Sequence, residues 1–421
     1  MGALLGLERT TVPDSPSPLA HAAASPAPST AMTPQERRSS VSLALIFALR
    51  MLGLFLVLPV FMLEARKYPG GDDPAMIGLA MGLYGLTQAL FQLPIGLASD
   101  RIGRKPVIVA GLLVFAAGSL IAATADSLTG LMVGRAIQGA GAVSAAVTAL
   151  LADLTRDGVR TKAMALVGGS IGLMFALALV LAPLLNAWIG LSGIFGLTGA
   201  LALAGIAVVL WVVPPEPRKH ADAPKGRFGE LLGQSDLLRL NFGVFILHTV
   251  QMSMWVAVPA MLVQAGLAKE QHWHIYLPAV LLSFAAMGLL FSMERKGRLR
   301  TALLGAIGLV LLVQIGLGML AASGTIATIW CMALLMFLFF CGFNALEATQ
   351  PSLVSRMAPT PLRGTALGAY NTLQSLGLFA GGAVGGAVAK FAGVPGLFAM
   401  TSVLVALWLI VTWPLRPVGR H

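Results

Sequence analysis

The sequence predicts an all-α integral membrane protein in which twelve transmembrane helices form two pseudo-symmetric six-helix bundles. The prediction depends on the composition, the spacing of the apolar runs and a motif that occurs once in each half. Hydrophobic residues make up 57% of the 421 residues, charged residues make up 11%, and the mean hydropathy is +0.85. Because no water-soluble domain buries that much apolar surface, we expect lipid to be the main solvent of the chain.

The apolar runs divide the chain into domains, and each run is close to the roughly 20 residues that a spanning helix needs. The first six cover 41–63, 76–98, 106–125, 129–153, 163–187 and 193–213, and the second six cover 238–264, 275–293, 301–322, 326–349, 364–388 and 394–415. The sequence therefore predicts a first bundle over 41–213, a cytoplasmic linker over 214–237 and a second bundle over 238–415. Residues 1–40, rich in Pro, Ser and Ala, are predicted to be a disordered cytoplasmic tail, and 416–421 a short cytoplasmic tail.

Positive charge is distributed unevenly between the predicted loops. Most of the 28 Lys and Arg residues fall in the termini and in one alternating set of loops, whereas Arg66, Lys67, Lys269 and Lys390 fall in the other set. This asymmetry is the positive-inside pattern, so both termini are predicted to be cytoplasmic, in a bacterial inner (plasma) membrane. Topology explains the formal charge of +11, and no nucleic-acid partner is predicted.

A short basic hinge that contains glycines connects spans two and three. Its residues of interest are Gly96, Asp100, Arg101, Gly103, Arg104 and Lys105, and the second half has an echo between spans eight and nine, with Glu294, Arg295, Gly297 and Arg298. A second pair of loops also corresponds, since Asp153 and Arg160 follow span four, while Glu347 and Arg363 accompany the end of span ten. Two independent correspondences indicate an internal duplication, as in transporters built from two repeated halves.

Two arginines lie inside predicted spans. Arg50 lies about 14 Å into span one, at 1.5 Å per residue, and Arg135 lies in span four on the same helical face as Gln138 and Gly139. An arginine within a membrane helix costs about 2.5–3.5 kcal/mol on insertion scales, so such a residue faces a watery cavity or a partner. Two interpretations stay open for each arginine: it lines a transport cavity and takes part in proton coupling, or it is a structural anchor.

Further polar side chains recur at helical spacing within the spans. They are Tyr84, Gln88 and Gln92 in span two, His248, Gln251 and Trp255 in span seven, Asn344 in span ten, and Asn371 and Gln374 in span eleven. Interhelical hydrogen bonds of this kind are worth about 0.6 kcal/mol on average, so helix packing and cavity lining are both open. Histidine is the residue type whose ordinary pKa lies nearest neutrality, which makes His248 a candidate for proton coupling as well as for packing. Glu347 is placed at the inner end of span ten, so no carboxylate is expected in the cavity.

Glycines and prolines are expected to shape the helices. The predicted hinge or packing positions are Gly53, Pro59, Gly139, Pro183, Gly381 and Gly385, because Gly permits close helix approach and Pro permits a bend. The sequence His272-Trp273-His274 lies in an outer loop without an accompanying Cys or carboxylate cluster. No metal site and no cofactor are predicted. Clustered carboxylates and a Ser/His pair are also not visible in the spans, so the protein is not predicted to be an enzyme.

Residues 41–415 resemble the major facilitator superfamily, and most of all its twelve-span drug/proton antiporter branch. The segment Gly96–Lys105 is similar to the signature loop of the family between spans two and three. Leu131–Gly141 resembles the span-four motif, whose arginine is implicated in proton transfer, and Leu52-Gly53 with Pro59 resembles a span-one motif.

The resemblance implies roles for the matched loop residues. Asp100 would lie at the N-terminal end of span eleven near Gly364, and Arg104 would pair with Asp153. Together these contacts would latch the two halves in the outward-open state and break on inward opening. Span five departs from the branch, since alanines stand at positions where its antiporter motif has glycines.

The leading functional prediction is a secondary active transporter that moves a small amphipathic solute by alternating access, with proton-coupled efflux as its mechanism. A cavity made positive by Arg50 and Arg135 favours anionic or neutral solutes over cations. Two alternatives are a proton-coupled uptake symporter of a small organic anion or metabolite, and a membrane ligand sensor that transports nothing. The expected partners are the lipid bilayer, the solute and protons, and the expected state is a monomer.

Overall fold

The computed structural model of the chain describes residues 31–216, 233–323, 329–359 and 362–415, and its regular secondary structure there is helical throughout. Ten apolar helices in these residues are long enough to cross a membrane. Two of them run for 51 and 50 residues, or roughly 75 Å at 1.5 Å per residue, far more than a bilayer needs. Each of the two divides at a glycine, so the described helices account for twelve spans, as the sequence predicts.

The spans of the first half have the following bounds. Spans one to three are Pro34–Glu64, Pro74–Ile102 and Arg104–Ala123. Span four consists of two helices, Leu128–Ala140 and Ser144–Asp153. Spans five and six are the two parts of Asp157–Ala207, and a π-helical turn over Val208–Val212 follows them. Short 3₁₀ turns occupy Ala65–Lys67 in this half and Lys269–Gln271 in the other. The spans of the second half are Ser235–Gln264, Trp273–Arg295, Leu299–Ala322, Ile329–Met357 and the two parts of Arg363–Thr412.

Glycines with left-handed backbone stand at corresponding places in the two halves. Gly190 divides spans five and six with φ 65° and ψ −178°, and Gly393 divides spans eleven and twelve with φ 68° and ψ −175°. The hinge glycines correspond in the same way, with φ 106° at Gly103 and 73° at Gly297. Glycine adopts this backbone without the steric penalty that a Cβ brings, so the same device turns the chain in both halves. These pairs support the internal duplication inferred from the loops.

Three element boundaries differ from the prediction. Span one begins at Pro34 rather than at residue 41, because Thr33 and Glu36 form a capping box with hydrogen bonds of 3.2 and 2.8 Å. Span four is interrupted at 141–143, and span ten extends to Met357 instead of ending near 349. The remainder of the predicted tails and most of the linker, residues 1–30, 217–232 and 416–421, lie outside the described residues.

Small residues let the helices of each bundle pack closely. A methyl group added at Gly53 would lie 2.8 Å from Thr198 Cγ2 of span six, and one added at Gly385 would lie 2.8 Å from Ser253 Oγ of span seven. Gly139 packs in the same way against the backbone of span two, and Gly381 against the backbone of span seven. Close backbone approach of this kind is the usual basis of helix association in membranes.

The two bundles meet most closely where spans two and eleven cross. An added methyl group at Gly382 would lie 2.6 Å from the Gly78 carbonyl oxygen, and one at Gly386 would lie 2.7 Å from the Pro74 carbonyl oxygen. Farther along span eleven, towards its first residue, a methyl group added at Gly368 would meet no described neighbour within 4 Å. The bundles are therefore in close contact at the end of the crossing that holds Gly78 and Gly382.

Two ion pairs join the bundles at the end where spans two and eleven touch. Lys390 Nζ lies 2.6 Å from Asp73 Oδ2, and Lys269 Nζ lies 2.6 Å from Glu64 Oε1. We call the side of the protein that carries the 100–105 hinge the basic side, and the side that carries these two pairs the opposite side. Side chains of the two bundles therefore meet on the opposite side.

Large apolar side chains cover the outer surface of the bundles. Trp188 and Trp330 are each 83% exposed, and Phe391 is 81% exposed, all three near helix ends on the opposite side. Aromatic side chains at this level are typical of the interface between a bilayer and water. The outer surface is thus suited to lipid, as expected for an integral membrane protein.

Candidate substrate and proton site

Arg50 lies at the centre of a polar cluster in the first bundle. Its Nη2 donates to the Tyr84 hydroxyl at 2.7 Å and to Gln88 Oε1 at 3.1 Å, and its Nη1 donates to Ser144 Oγ at 3.1 Å. The residue is 1% exposed, and its Nε has no hydrogen-bond partner among the described residues. The ring of Phe115 lies 5.6 Å from the guanidinium carbon. Every polar group that holds this cation is neutral.

Arg135 has different surroundings, all within the first bundle. It donates to Gln138 Oε1 at 3.1 Å and to the Met81 carbonyl oxygen at 3.3 Å, and its guanidinium carbon lies 4.9 Å from the Tyr84 ring centre. Gln138 in turn donates to Ser119 Oγ at 2.8 Å, and both of these residues are buried. Because buried groups of one bundle enclose Arg135, its contacts favour the structural interpretation.

Gln88 connects the Arg50 cluster to the second bundle. While its Oε1 accepts from Arg50, its Nε2 donates to Ser375 Oγ of span eleven at 2.8 Å. Of the three polar residues predicted on span two, Tyr84 and Gln88 therefore belong to the cluster around Arg50. Gln92 is buried, and its Oε1 has no partner among the described residues.

A second polar cluster lies in the second bundle around His248. The Nδ1 of this residue lies 3.0 Å from the Val244 carbonyl oxygen, and its Nε2 lies 2.8 Å from Gln374 Nε2. The same Nε2 lies 3.3 Å from Glu347 Oε1. His248 is 4% exposed, whereas the side chain of Glu347 remains one-third exposed at 33%. Spans seven, ten and eleven thus bring together a histidine, a carboxyl group and an amide.

The place of Glu347 corrects the sequence prediction in two respects. Because span ten continues to Met357, Glu347 lies well inside the helix and not at its end. Its contact with His248 was not predicted. The expectation that the cavity lacks a carboxylate was therefore wrong.

The other predicted lining residues have separate surroundings. Trp255 packs its ring against Phe175 and Tyr276, at centroid distances of 6.5 and 5.5 Å, and Gln251 is buried. Asn344 donates to Ser283 Oγ at 2.7 Å within the second bundle, and Asn371 is half-buried on span eleven. Pro59 and Pro183 line a small cavity on the opposite side, together with Glu64, Asn186 and Lys269.

The hinge between spans two and three is held by Arg104. Its Nε lies 3.2 Å from Asp153 Oδ2, its Nη1 lies 2.6 Å from Asp100 Oδ1, and Nη1 also donates to Ser99 Oγ at 2.7 Å. The pairing of Arg104 with Asp153 that the resemblance implies is thus present. Gly364, the other implied neighbour of Asp100, is exposed, and an added methyl group there would meet no described atom within 4 Å.

Glu216, at the start of the linker between the bundles, was not expected to contact the hinge. Its carboxylate accepts from the backbone N–H of Arg104 at 3.0 Å and from that of Lys105, which are the first residues of span three. Lys105 Nζ also donates to the Val213 carbonyl oxygen at 2.6 Å. A carboxylate at the first turn of a helix is favoured by the helix dipole, so the linker caps span three.

The remaining loop residues are described only in part. Arg160 donates to the Ala152 and Thr155 carbonyl oxygens at 3.2 and 3.4 Å, which places it over the end of span four. Gly96 is half-buried and Arg101 exposed at the hinge; Gly297 and Arg298 precede span nine, and Arg363 begins span eleven and is exposed. The side chains of Glu294 and Arg295 lie outside the described part of the structure.

Sequence reasoning also missed two hydroxyl groups at the centre. Ser144 binds Arg50 from the break in span four, and Ser375 binds Gln88 from span eleven. Serine is common in membrane helices as a packing residue, so its presence alone carries no signal. Gly141 was a usable sequence signal for Ser144, because glycine can interrupt a helix, and polar side chains next to the interruption can then turn towards the centre.

Comparisons with known proteins agree with this architecture. Residues 39–382 match the Major Facilitator Superfamily. The inner membrane transport protein YajR of Escherichia coli K12 is 44% identical over 385 residues, which cover 90% of this chain and 84% of YajR. The multidrug resistance protein MdtH of Aeromonas salmonicida is 27% identical over 84% of this chain and 88% of its own.

The fold also matches a solved structure of a bacterial homologue of the human lysosomal transporter Spinster, in an inward-facing and occupied conformation. The TM-score is 0.71 at 14% identity, over 92% of this chain and 98% of the other. At that identity the likeness concerns the fold alone. The match over residues 39–382 and the identity to YajR are what show the family. The chain belongs to the Major Facilitator Superfamily and is a membrane transporter, not an enzyme.

Proposed function

We propose that the protein exports a small amphipathic solute in exchange for protons by alternating access. The observation that carries the proposal is the contact of His248 Nε2 with Glu347 Oε1 at 3.3 Å, inside the second bundle. A proton-coupled carrier needs a group that binds and releases a proton within the membrane. Ionisable residues within spans are costly, and they mark proton relays and substrate pathways.

The hydrogen bonds of His248 determine what this pair can bind. A carbonyl oxygen only accepts, so the Nδ1 that faces Val244 carries a hydrogen and donates it. In the neutral ring, Nε2 then has a lone pair directed towards its other neighbours. An ionised Glu347 would oppose that lone pair with a negative oxygen. One proton bound to Glu347 Oε1 removes the repulsion and leaves the Nε2 lone pair to accept from the Gln374 amide, so the pair is suited to hold a single exchangeable proton.

Alternating access is supported by the arrangement of the two bundles. The Asp73–Lys390 and Glu64–Lys269 pairs join them on the opposite side, while Gly364 and Gly368 face open space on the basic side. We infer that the basic side is cytoplasmic, from the distribution of Lys and Arg, and that this conformation is inward-facing. In the outward-open state, Asp100 of the hinge would instead approach the first residues of span eleven, and Arg104 and Asp153 would keep the hinge in place.

The relatives support export from the cytoplasm. YajR is by its name an inner membrane transport protein, and MdtH is by its name a multidrug resistance protein. We therefore propose a bacterial inner membrane as the location of the protein, and the distribution of Lys and Arg favours cytoplasmic termini. One chain supplies both bundles and the polar clusters around Arg50 and His248, so a monomer is sufficient for the proposed transport.

Reconstitution of the purified protein into liposomes tests the proposal. The solutes are 1-naphthalenesulfonate as an anion, chloramphenicol as a neutral compound and ethidium as a cation, and a trapped pH-sensitive dye reports proton movement. A solute gradient is expected to drive protons in the opposite direction. Glu347→Gln is expected to abolish that proton movement while solute exchange continues.

Two results would count against this mechanism. Protons that move in the same direction as the solute would identify the symporter alternative. Proton movement that persists unchanged in Glu347→Gln would show that the His248–Glu347 pair is not the coupling site. Asn344→Leu is the matched control, because Asn344 also lies on span ten and donates within the second bundle to Ser283.

A further inference from the structure

We propose that Arg50, Ser144 and Gln88 form an anion-binding subsite, and that the transported solute is an organic anion whose acidic group binds there. This inference rests on the proposed transport function and names its substrate class. The positive charge of Arg50 has no negative partner among the described residues. Among the described residues, Arg50 contacts only the neutral groups of Tyr84, Gln88 and Ser144.

A buried cation without a counter-ion is costly in a membrane domain. Charges removed from water are normally paired, because the low dielectric of the interior penalises an isolated charge. Arg50 is 1% exposed, and its Nε has no hydrogen-bond partner in the described part of the chain. A guanidinium group presents its N–H donors as a planar fork that matches carboxylate and sulfonate oxygens. The missing charge and the unused donor both indicate an anionic ligand.

The position of the cluster makes it reachable from the interface between the bundles. Ser144 and Gln88 are half-buried, and Gln88 extends from the first bundle to Ser375 of the second. Rotation of the Gln88 amide away from Arg50 would free Nη2 for an acidic oxygen. Arg135 also has neutral partners and an Nε without a partner among the described residues, but its contacts with Gln138 and the Tyr84 ring lie inside one bundle. The two buried arginines therefore have different roles.

Aromatic rings near the centre suit the apolar part of such a solute. Phe55 of span one and Phe175 of span five pack edge to face at 5.1 Å, and Phe175 continues to Phe343 of span ten at 6.5 Å. Phe343 lies 6.0 Å from the His248 ring. The rings extend from the bundle that holds Arg50 to the proton site, so the surface favours an anion with an aromatic or otherwise apolar body.

Charge balance links the subsite to the proton site. A bound monoanion neutralises Arg50, and a bound proton neutralises the repulsion between His248 and Glu347. In the exchange cycle the anion and the proton cross in different steps, so the bound anion compensates the charge of Arg50 during export and the bound proton compensates the charge of Glu347 during the return. An anion of one negative charge fits this arrangement better than a cation does.

Equilibrium binding of 1-naphthalenesulfonate to the purified full-length protein tests the inference, with ethidium as a cationic probe of similar aromatic character. The sulfonate is expected to raise the melting temperature of the wild type by mass action. Arg50→Gln is expected to raise its Kd by about tenfold or more, because a charge-assisted hydrogen bond in a buried site is lost. Arg37→Gln removes the same charge from an exposed residue and is expected to leave the Kd within about threefold.

Arg50→Lys is the second variant, in case Arg50→Gln does not fold. It keeps the charge but lacks the fork, so the sulfonate should bind measurably more weakly than in the wild type and more tightly than in any folded Arg50→Gln preparation. The inference is overturned if the sulfonate does not stabilise the wild type, if ethidium alone stabilises it, or if Arg50 variants bind the sulfonate as the wild type does. Binding is read without any proton movement. Loss of proton coupling with intact Arg50-dependent binding would therefore refute the proposed exchange and leave the subsite standing.

Discussion

The Gln88 side-chain amide donates a hydrogen bond to Ser375 Oγ at 2.8 Å while its carbonyl oxygen accepts from Arg50 at 3.1 Å. One residue of span two thereby touches the buried cation of the first bundle and span eleven of the second. Ser375 follows Gln374, whose amide lies 2.8 Å from His248. A ligand that draws Gln88 away from either partner changes the contact between the bundles, so Gln88 is placed to communicate between the anion subsite and the proton site.

Gln88→Leu is expected to uncouple solute movement from proton movement. The bridge to Ser375 is lost, while the contacts of Arg50 with Tyr84 and Ser144 remain. Because the Gln88 oxygen occupies the Arg50 Nη2 that the acidic group needs, sulfonate affinity should stay unchanged or rise. The number of protons moved per solute should fall, measured in liposomes from dye and tracer fluxes.

Gln92→Leu is the matched control for this prediction. Gln92 lies about one helical turn beyond Gln88 on span two, and it is buried. The hydrogen bonds of Arg50 go to Tyr84, Gln88 and Ser144 and not to Gln92. Its variant should keep the wild-type ratio of protons to solute. Equal ratios in Gln88→Leu and the wild type would remove Gln88 from the coupling route.

The ion pairs on the opposite side are expected to set the population of the inward-facing state. Asp73→Asn removes the contact to Lys390. This partly exposed pair is worth a few tenths to one kcal/mol, so the outward-open fraction should rise roughly two- to fivefold. Distances between spin labels at Asp72 and Ala392, in a background without Cys331 and Cys341, measure the change. Asp73→Lys with Lys390→Asp should restore the wild-type distribution, and a swap that restores nothing would argue against this pair.

The contribution of Asp73 to closure is expected to be independent of pH near neutrality. The Lys390 ammonium donates to the Asp73 carboxylate and holds its pKa below the ordinary value. A carboxyl group whose pKa is lowered in one state stabilises that state above its ordinary pKa, and the stabilisation is lost as the pH falls through the lowered value. Between about pH 5 and pH 8 the pair is therefore fully formed.

The measurement for this prediction is the spin-label distance distribution of the wild type and of Asp73→Asn, each recorded at an acidic and at a neutral pH within that window. The difference between the two proteins should be the same at both values. Any pH dependence shared by both proteins then comes from groups other than Asp73. A difference that changes with pH would mean that Asp73 titrates in this range.

The parts of the fold that could be predicted depend on local patterns. Twelve apolar runs, the uneven distribution of Lys and Arg, and the hinge with Gly103 and Arg104 are all visible within short windows of sequence. The twofold organisation was visible as well, and it agrees with the equivalent glycines at 190 and 393. Helix ends were less accessible, because the capping box of Thr33 and Glu36 continues span one beyond its apolar run.

The site was harder to predict because its contacts join distant parts of the chain. Glu347 and His248 come from spans ten and seven, and their approach depends on how far span ten continues past its apolar residues. Arg50 and Arg135 resemble each other in sequence, as single arginines in apolar helices. Only their neighbours separate them, since Gln138 lies on Arg135's own helix, whereas Gln88 and Ser144 reach Arg50 from two other segments.

The close crossing of spans two and eleven leads to the last prediction. A side chain at Gly382 would place its Cβ 2.6 Å from the Gly78 carbonyl oxygen and 2.8 Å from the Gly82 nitrogen, so Gly382→Val obstructs closure on the opposite side. Overpacking of this kind costs about 1–3 kcal/mol, which corresponds to a roughly tenfold loss of the inward-facing population and a comparable loss of flux. Gly196→Val is the control, because an added Cβ there meets nothing within 4 Å. If Gly382→Val transports like Gly196→Val, the crossing is not a closure contact. If Gly382→Val folds and binds solute but keeps the spin labels at 72 and 392 farther apart than in the wild type, the crossing is where the opposite side closes.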